Sequence, residues 1–211
     1  MSNVRDLWAL TLETKRLVLR PQRPDDYERW YEGFAKRWPA MNAYDSGWQE
    51  MSACTREWFV TLCEHHQKIA VEDKIYVLGI FSKQGKKHLG NVDISTICRQ
   101  NNQWAVLGYG IHNHAWRQGF GKESVRAGLI AGFERLKYQR IEAHINLDNQ
   151  ASVALAKSVG MTEECIRRGF VYENKEWTDR RVYVARSSDF GVAAKVPSGE
   201  AICLRSGSEM T

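Results

Sequence analysis

The densest chemistry in the chain lies in Ile111-His112-Asn113-His114-Ala115-Trp116-Arg117-Gln118-Gly119-Phe120-Gly121-Lys122-Glu123. An apolar strand pattern enters a glycine turn and a helical pattern leaves it. Gly119 and Gly121 carry no Cβ, so the backbone can bend sharply and a ligand can approach its amides. The first N–H groups of a helix lack intrahelical acceptors, and the helix dipole favours an anion in front of them. Arg117, Lys122 and Arg126 add positive charge nearby. The expected chemistry is a seat for phosphate or pyrophosphate. A nucleotide P-loop is excluded, because it needs glycine where Trp116 stands and Ser or Thr in place of Glu123. A dinucleotide fingerprint needs a third glycine at Ser124 and parallel strands on both sides, whereas the preceding strands read as hairpins. The alternative reading is a plain strand-to-helix turn, with glycines for geometry only.

Acid–base candidates are few. Asp93, His112 and His114 sit on or just after central strands, and histidine has an intrinsic pKa suited to proton transfer. A polar strand residue is also a common solvent-facing one, so that reading stays open for all three. Asn149 is a good N-cap for a short helix, and Ser152 either completes the cap or offers a hydroxyl donor. His65 and His66 have no companion ligands, and the five cysteines never form a CxxC pair, so no metal and no disulfide framework is expected. Trp30, Trp38, Trp48 and Trp58 cluster in the first third. They read as core or lid packing, or as an apolar wall around an acceptor.

The elements that must position these residues follow from periodicity. Arg16–Arg20 is a short strand ended by Pro21, and Pro24-Asp25-Asp26 opens a helix carrying Tyr27, Trp30, Tyr31 and Phe34 on one face. A second helix is expected near Thr55–His66. Ile75–Ser82, His88–Ile97 and Trp104–Ile111 read as strands joined by hairpin turns at Gln84-Gly85-Lys86 and Gln100-Asn101-Asn102. A helix follows over Gly121–Tyr138, then an alternating strand at Arg140–Leu147. A short helix, Gln150–Val159, is stopped by Gly160, and strands near Glu163–Tyr172 and Thr178–Ala185 close the domain. The order implies an α/β (α+β) domain with a mixed sheet flanked by helices. It spans residues 10–190. Residues 191–211 read as a loose tail in which Ile202–Leu204 could dock as a strand.

These motifs, in this order, resemble the GNAT N-acetyltransferase superfamily over Thr14–Ser187. The carriers are Arg117-Gln118-Gly119-Phe120-Gly121-Lys122-Glu123, Asn146-Leu147-Asp148-Asn149-Gln150-Ala151-Ser152 and Val159-Gly160-Met161. Within it the chain is most similar to the Rim-type ribosomal-protein N-terminal acetyltransferases. Glu13–Pro21, Leu107–Ile111 and Tyr44-Asp45-Ser46-Gly47-Trp48-Gln49 resemble segments of those enzymes, the last of their alanine-specific members.

The resemblance implies one domain with a mostly antiparallel sheet whose central strands splay apart to admit acetyl-CoA. It implies cofactor contacts from Tyr109, Gly110 and Ile111, from Arg117, Gln118, Gly119, Phe120, Gly121, Lys122 and Glu123, and from Asn149 and Ser152. Trp116 departs from the Gln or Arg common at its position, and Ala156 from the tyrosine acid of many members. Ser152 becomes the expected hydroxyl donor near the thiolate, with Glu173 and His112 as candidate bases.

The implied reaction is direct attack by a primary amine in a ternary complex. An α-amine with a pKa of about 7.7–8.0 is roughly a tenth neutral at pH 7, and a lysine near 10.4 below about one in a thousand. A protein N-terminus is therefore the expected acceptor, and the Rim-type resemblance implies a ribosomal protein. The alternatives are a small amine such as an antibiotic or polyamine, or a weakly catalytic acetyl-CoA-binding factor associated with ribosomes.

The chain's 211 residues suit one domain with a tail, and 43% hydrophobic residues can fill a core. No apolar run approaches the roughly 20 residues that span a bilayer, and the first six residues hold no signal core. A cytoplasmic location with no membrane partner and no direct DNA binding is expected. Lys and Arg total 30 against 25 acids, a mild net charge of +5 that bears on association rather than fold.

Overall fold

Strand alternation and helix punctuation set the architecture. The computed structural model describes residues 7–193. Its elements are β1 (Leu12–Glu13), β2 (Leu17–Arg20), α1 (Tyr27–Ala35), α2 (Arg56–Val71), β3 (Ile75–Ser82), β4 (His88–Cys98) and β5 (Trp104–Ile111). Then come α3 (Phe120–Glu134), β6 (Arg140–Asn146), α4 (Gln150–Ser158), β7 (Thr162–Glu173) and β8 (Glu176–Arg186). The strands form one sheet in the order β1-β2-β3-β4-β5-β6-β8-β7. Neighbours are antiparallel except β5 and β6, which the α3 crossover makes parallel. That parallel ladder registers only Trp104 with Arg140, Ala105 with Ile141, and Val106 with Glu142. Beyond Val106 and Glu142 the two strands part, as the resemblance implied. No helix among the described residues is long and apolar enough to cross a membrane.

Four of the differences from the expected boundaries have a local cause. The β2 strand starts at Leu17, because Arg16 is turned aside to bond Glu123. Pro24–Asp26 forms a 3-10 turn before α1, and the Asp26 carboxylate accepts from the Arg23 N–H at 2.8 Å. α2 runs on to Val71, through a stretch that includes the buried Ala70. α3 stops at Glu134, and Lys137 takes a left-handed φ of 66°, which turns Leu136 and Tyr138 back into the core. The docking strand expected at Ile202–Leu204 lies outside the described residues.

The main core fills the space between the sheet and α3, with Leu78, Ile94, Leu107, Leu129, Phe133 and Ile141 fully or nearly buried. Two glycines one turn apart let α3 lie close to the strands. A Cβ on Gly128 would meet Val92 on β4 at 2.8 Å, and one on Gly132 would overlap Ile141 on β6. A smaller core joins α1 to α2, where Trp30 packs 4.7 Å from Phe59 between ring centroids. Of the four tryptophans singled out above, only Trp30 is core. Trp58 leans on it, and Trp38 and Trp48 are each 53% exposed.

Beneath α1 lies a buried histidine pair. His88 Nδ1 and His112 Nε2 are 3.0 Å apart, in space that Gly33 leaves open. Burial, chiefly, drives both rings towards the neutral form, His88 down to about 4 and His112 to about 2. In the unfolded chain each titrates near pH 6.5. Above that pH the pair has no effect. Below it the unfolded chain takes up protons that the folded chain refuses, so stability falls by up to about 1.4 kcal/mol per pH unit for each ring. The window runs down to about pH 4 for His88 and further for His112. Urea midpoints between pH 6.5 and 4 should therefore fall steeply, and the double variant His88→Gln with His112→Gln should flatten that slope. An equal slope in the variant would assign the acid sensitivity to other groups.

Candidate active site

The parting of β5 from β6 opens a cleft of about 660 Å³. At one end stands the glycine loop. Gly119 caps α3 with φ 80°, a left-handed conformation that glycine adopts without steric cost. Arg117 also has a positive φ, 59°, so the chain turns twice before the helix begins. The loop is braced from both sides. Trp116 Nε1 donates to the Ile111 carbonyl at 2.7 Å, which ties the loop to the end of β5. Arg16 donates to the Gln118 carbonyl at 2.8 Å and through Nε to Glu123 at 2.7 Å. The first amides of α3 are thereby held facing outward, with a helix dipole behind them.

The cleft's floor carries one carboxylate of a different kind. Asp93 projects from β4 opposite Gly108 of β5, and a Cβ on Gly108 would lie 2.7 Å from both of its Oδ atoms. Its carboxylate forms no ion pair and no hydrogen bond with another side chain among the described residues; its own backbone N–H donates to it, and burial outweighs that contact and raises its pKa above the ordinary aspartate value. Asn149 and Ser152 line the opposite wall at the start of α4, where Asn149 Oδ1 accepts from the Ser152 N–H at 3.1 Å.

The loop between α1 and α2 reaches over this space. Its Asp45 side chain is fully buried and accepts from Arg37 Nη2, the Met41 and Gly47 amides and Asn113 Nδ2, at 2.9–3.0 Å. The Tyr44 hydroxyl then donates to Asp148 across the cleft, which pushes the phenol up to about 12.

A family model described as an acetyltransferase (GNAT) domain matches residues 16–162. The chain belongs to the GNAT acetyltransferase family. It is an N-acetyltransferase, and enzymes of this family use acetyl-CoA. YoaA of Bacillus subtilis, an uncharacterized N-acetyltransferase, is 27% identical over 172 residues, 82% of this chain and 94% of YoaA. Two solved structures share the fold. The ribosomal-protein-S5-alanine acetyltransferase of Vibrio fischeri has a TM-score of 0.68 at 17% identity, covering 85% of this chain and 98% of that one. RimJ of Mycobacterium smegmatis, in complex with CoA-disulfide, has a TM-score of 0.67 at 18% identity, covering 82% and 83%.

Within this GNAT domain the residues singled out from sequence divide into three groups. Tyr109, Gly110, Ile111, Arg117, Gly119, Phe120, Gly121, Asn149 and Ser152 all line the one cleft. Gln118 borders a neighbouring cavity, and Lys122 is exposed on the first turn of α3. The Glu123 side chain turns away from the cleft, because Thr14 Oγ1 donates to it at 2.6 Å and the Arg16 amide at 2.9 Å. Arg126 lies over the Phe190 ring, so the guanidinium bracing the loop comes from Arg16 instead.

The base candidates separate more sharply. His112 lines the cleft, but its Nε2 faces His88 and burial opposes its protonation. His114 borders the neighbouring cavity. Burial works to raise the Glu173 pKa, but Arg180 at 2.8 Å, Asn146 at 2.7 Å and Thr178 at 3.1 Å outweigh it and hold the carboxylate ionised. A carboxylate so fully engaged is a poor acceptor for a further proton. Asp93 is left as the carboxylate with free lone pairs on the cleft.

Proposed function

We propose that the chain transfers the acetyl group of acetyl-CoA to the α-amine of a polypeptide N-terminus, with Asp93 as the proton acceptor. The donor set suits a CoA thioester. The amides of Arg117 to Lys122 would hold the pyrophosphate, and the unladdered edge of β5 at Tyr109–Ile111 would pair with the amide-bearing arm. The coenzyme supplies the acetyl group as a thioester. Asp93 takes the proton as the amine attacks, directly or through one water, and Ser152 offers a hydroxyl on the far wall for the departing sulfur.

The observation that carries this reading is the half-buried Asp93 carboxylate on the cleft, which no cation and no other side chain among the described residues engages. Even with its pKa raised, an aspartate is a weak base, which matches an amine already partly neutral at pH 7 better than a lysine. The charges on the cleft also argue against a polyamine, since Arg37 and Arg117 balance Asp45 and Asp93. Exposed Trp38, Met41 and Trp48 on the overarching loop offer an apolar rim to a peptide.

Thiol release from acetyl-CoA would be followed with peptides beginning Ala, Ser or Met, including N-termini of ribosomal proteins, beside spermidine and an aminoglycoside. A peptide should saturate the enzyme and carry the acetyl group on its α-nitrogen by mass spectrometry. Saturation by a small amine with no peptide turnover would overturn the acceptor assignment.

A further inference from the structure

Behind the glycine loop lies a second cavity, of about 620 Å³, that the transfer reaction does not use. Five separate parts of the chain wall it: the approach to β2, α1, the β3–β4 turn, the start of β4 and the segment before α3. Six cationic side chains border it, Lys15, Arg16, Arg29, Lys36, Lys83 and Lys87, against one carboxylate, Glu32, which Lys36 already holds. Arg16, Arg29 and Lys83 have carboxylate partners, Glu123, Asp26 and Glu13, that are not part of the wall. Lys15 and Lys87 form no ion pair with any described residue. His114 borders the same space with a buried Nδ1 that has no hydrogen-bond partner among the described residues.

Like charges are brought together at a cost, and a concave wall of one sign focuses its field on whatever enters. A volume of this order holds a small ligand rather than a folded partner. We infer that this cavity is a second anion site, built for a free oligophosphate and separate from the cofactor cleft. Lysine ammonium groups meet phosphate oxygens as mobile point charges, and Arg29 offers a planar fork. Gln84 on the β3–β4 turn adds a neutral donor. The state of His114 fits this field: burial first, then Lys36, Arg37 and Lys87, push its pKa down. The inference is independent of the acceptor assignment, because no part of it involves the amine.

Isothermal titration with sodium tripolyphosphate tests it, at constant ionic strength and with the protein already saturated with CoA. One equivalent should bind. The double variant Lys15→Glu with Lys87→Glu should weaken that binding at least tenfold while leaving CoA affinity within twofold. Both positions are exposed, so the fold is not at stake. The charge-matched variant Lys157→Glu with Lys175→Glu, on α4 and the β7–β8 turn, should bind tripolyphosphate like the parent. Binding abolished by CoA, unchanged in the first variant or equally weakened in the second would overturn the site.

Discussion

Asp93→Asn is expected to lower kcat/KM by about 10²–10³, within the range typical of a lost general base, with CoA affinity unchanged. The amide keeps the shape of the side chain and removes its proton affinity, so a drop in rate without a drop in binding isolates the chemistry. The pH profile gives a second readout. Burial raises the pKa of Asp93, so kcat/KM should climb with pH as this carboxylate loses its proton, then climb again as the acceptor amine does near 8. The asparagine variant should lose the first rise and keep the second. Gly108→Ala supplies a control that leaves Asp93 in the sequence. The added methyl would sit 2.7 Å from both carboxylate oxygens and force the side chain aside, so it should reproduce much of the defect. A fully active Asp93→Asn enzyme would return the base to solvent or to another residue.

Gly119→Val should weaken CoA binding at least tenfold by calorimetry. The native φ of 80° costs a β-branched residue about 1–2 kcal/mol or more, and the loop can relieve that strain by rotating towards negative φ. Rotation swings the first amides of α3 away from their outward aim. The valine Cβ would also start 3.2 Å from Arg16 Nη2, and so disturb the guanidinium that braces the Gln118 carbonyl and Glu123. Gly119→Ala should show a smaller loss through the same route. A CoA dissociation constant within threefold of the parent in the valine variant would mean that these amides do not bear the pyrophosphate.

Local patterning made most of the frame legible. Ile75–Ser82 and Trp104–Ile111 match their expected bounds, because alternation and turn residues are encoded within each hairpin. The Asn149 cap was readable for the same reason, since its partner, the Ser152 amide, is three residues away. The site resisted where the deciding contact was distant in sequence. Glu123 reads as a cofactor contact until Arg16, 107 residues earlier, folds against it. His112 has the right pKa for a base until His88 and burial remove it. The place of Glu173 depends on register shifts between Glu163 and Cys165 and between Arg167 and Val171, which no periodicity announces. Asp93 is named among the acid–base candidates of the sequence but passed over there for Glu173 and His112, and only the glycine across the ladder and the lack of a cation or side-chain partner among the described residues set it apart.

The three-rung ladder between β5 and β6 has a mechanical consequence. In the plane of the sheet, little joins the five strands on one side to the three on the other, so their separation is governed from outside that plane. Gly128 rests on Val92 in the first group, and Gly132 on Ile141 in the second. The helix therefore acts as a spacer bolted across a seam. The width of the gap proposed for acetyl transfer then depends on the bulk of two positions on α3 that do not line the cleft.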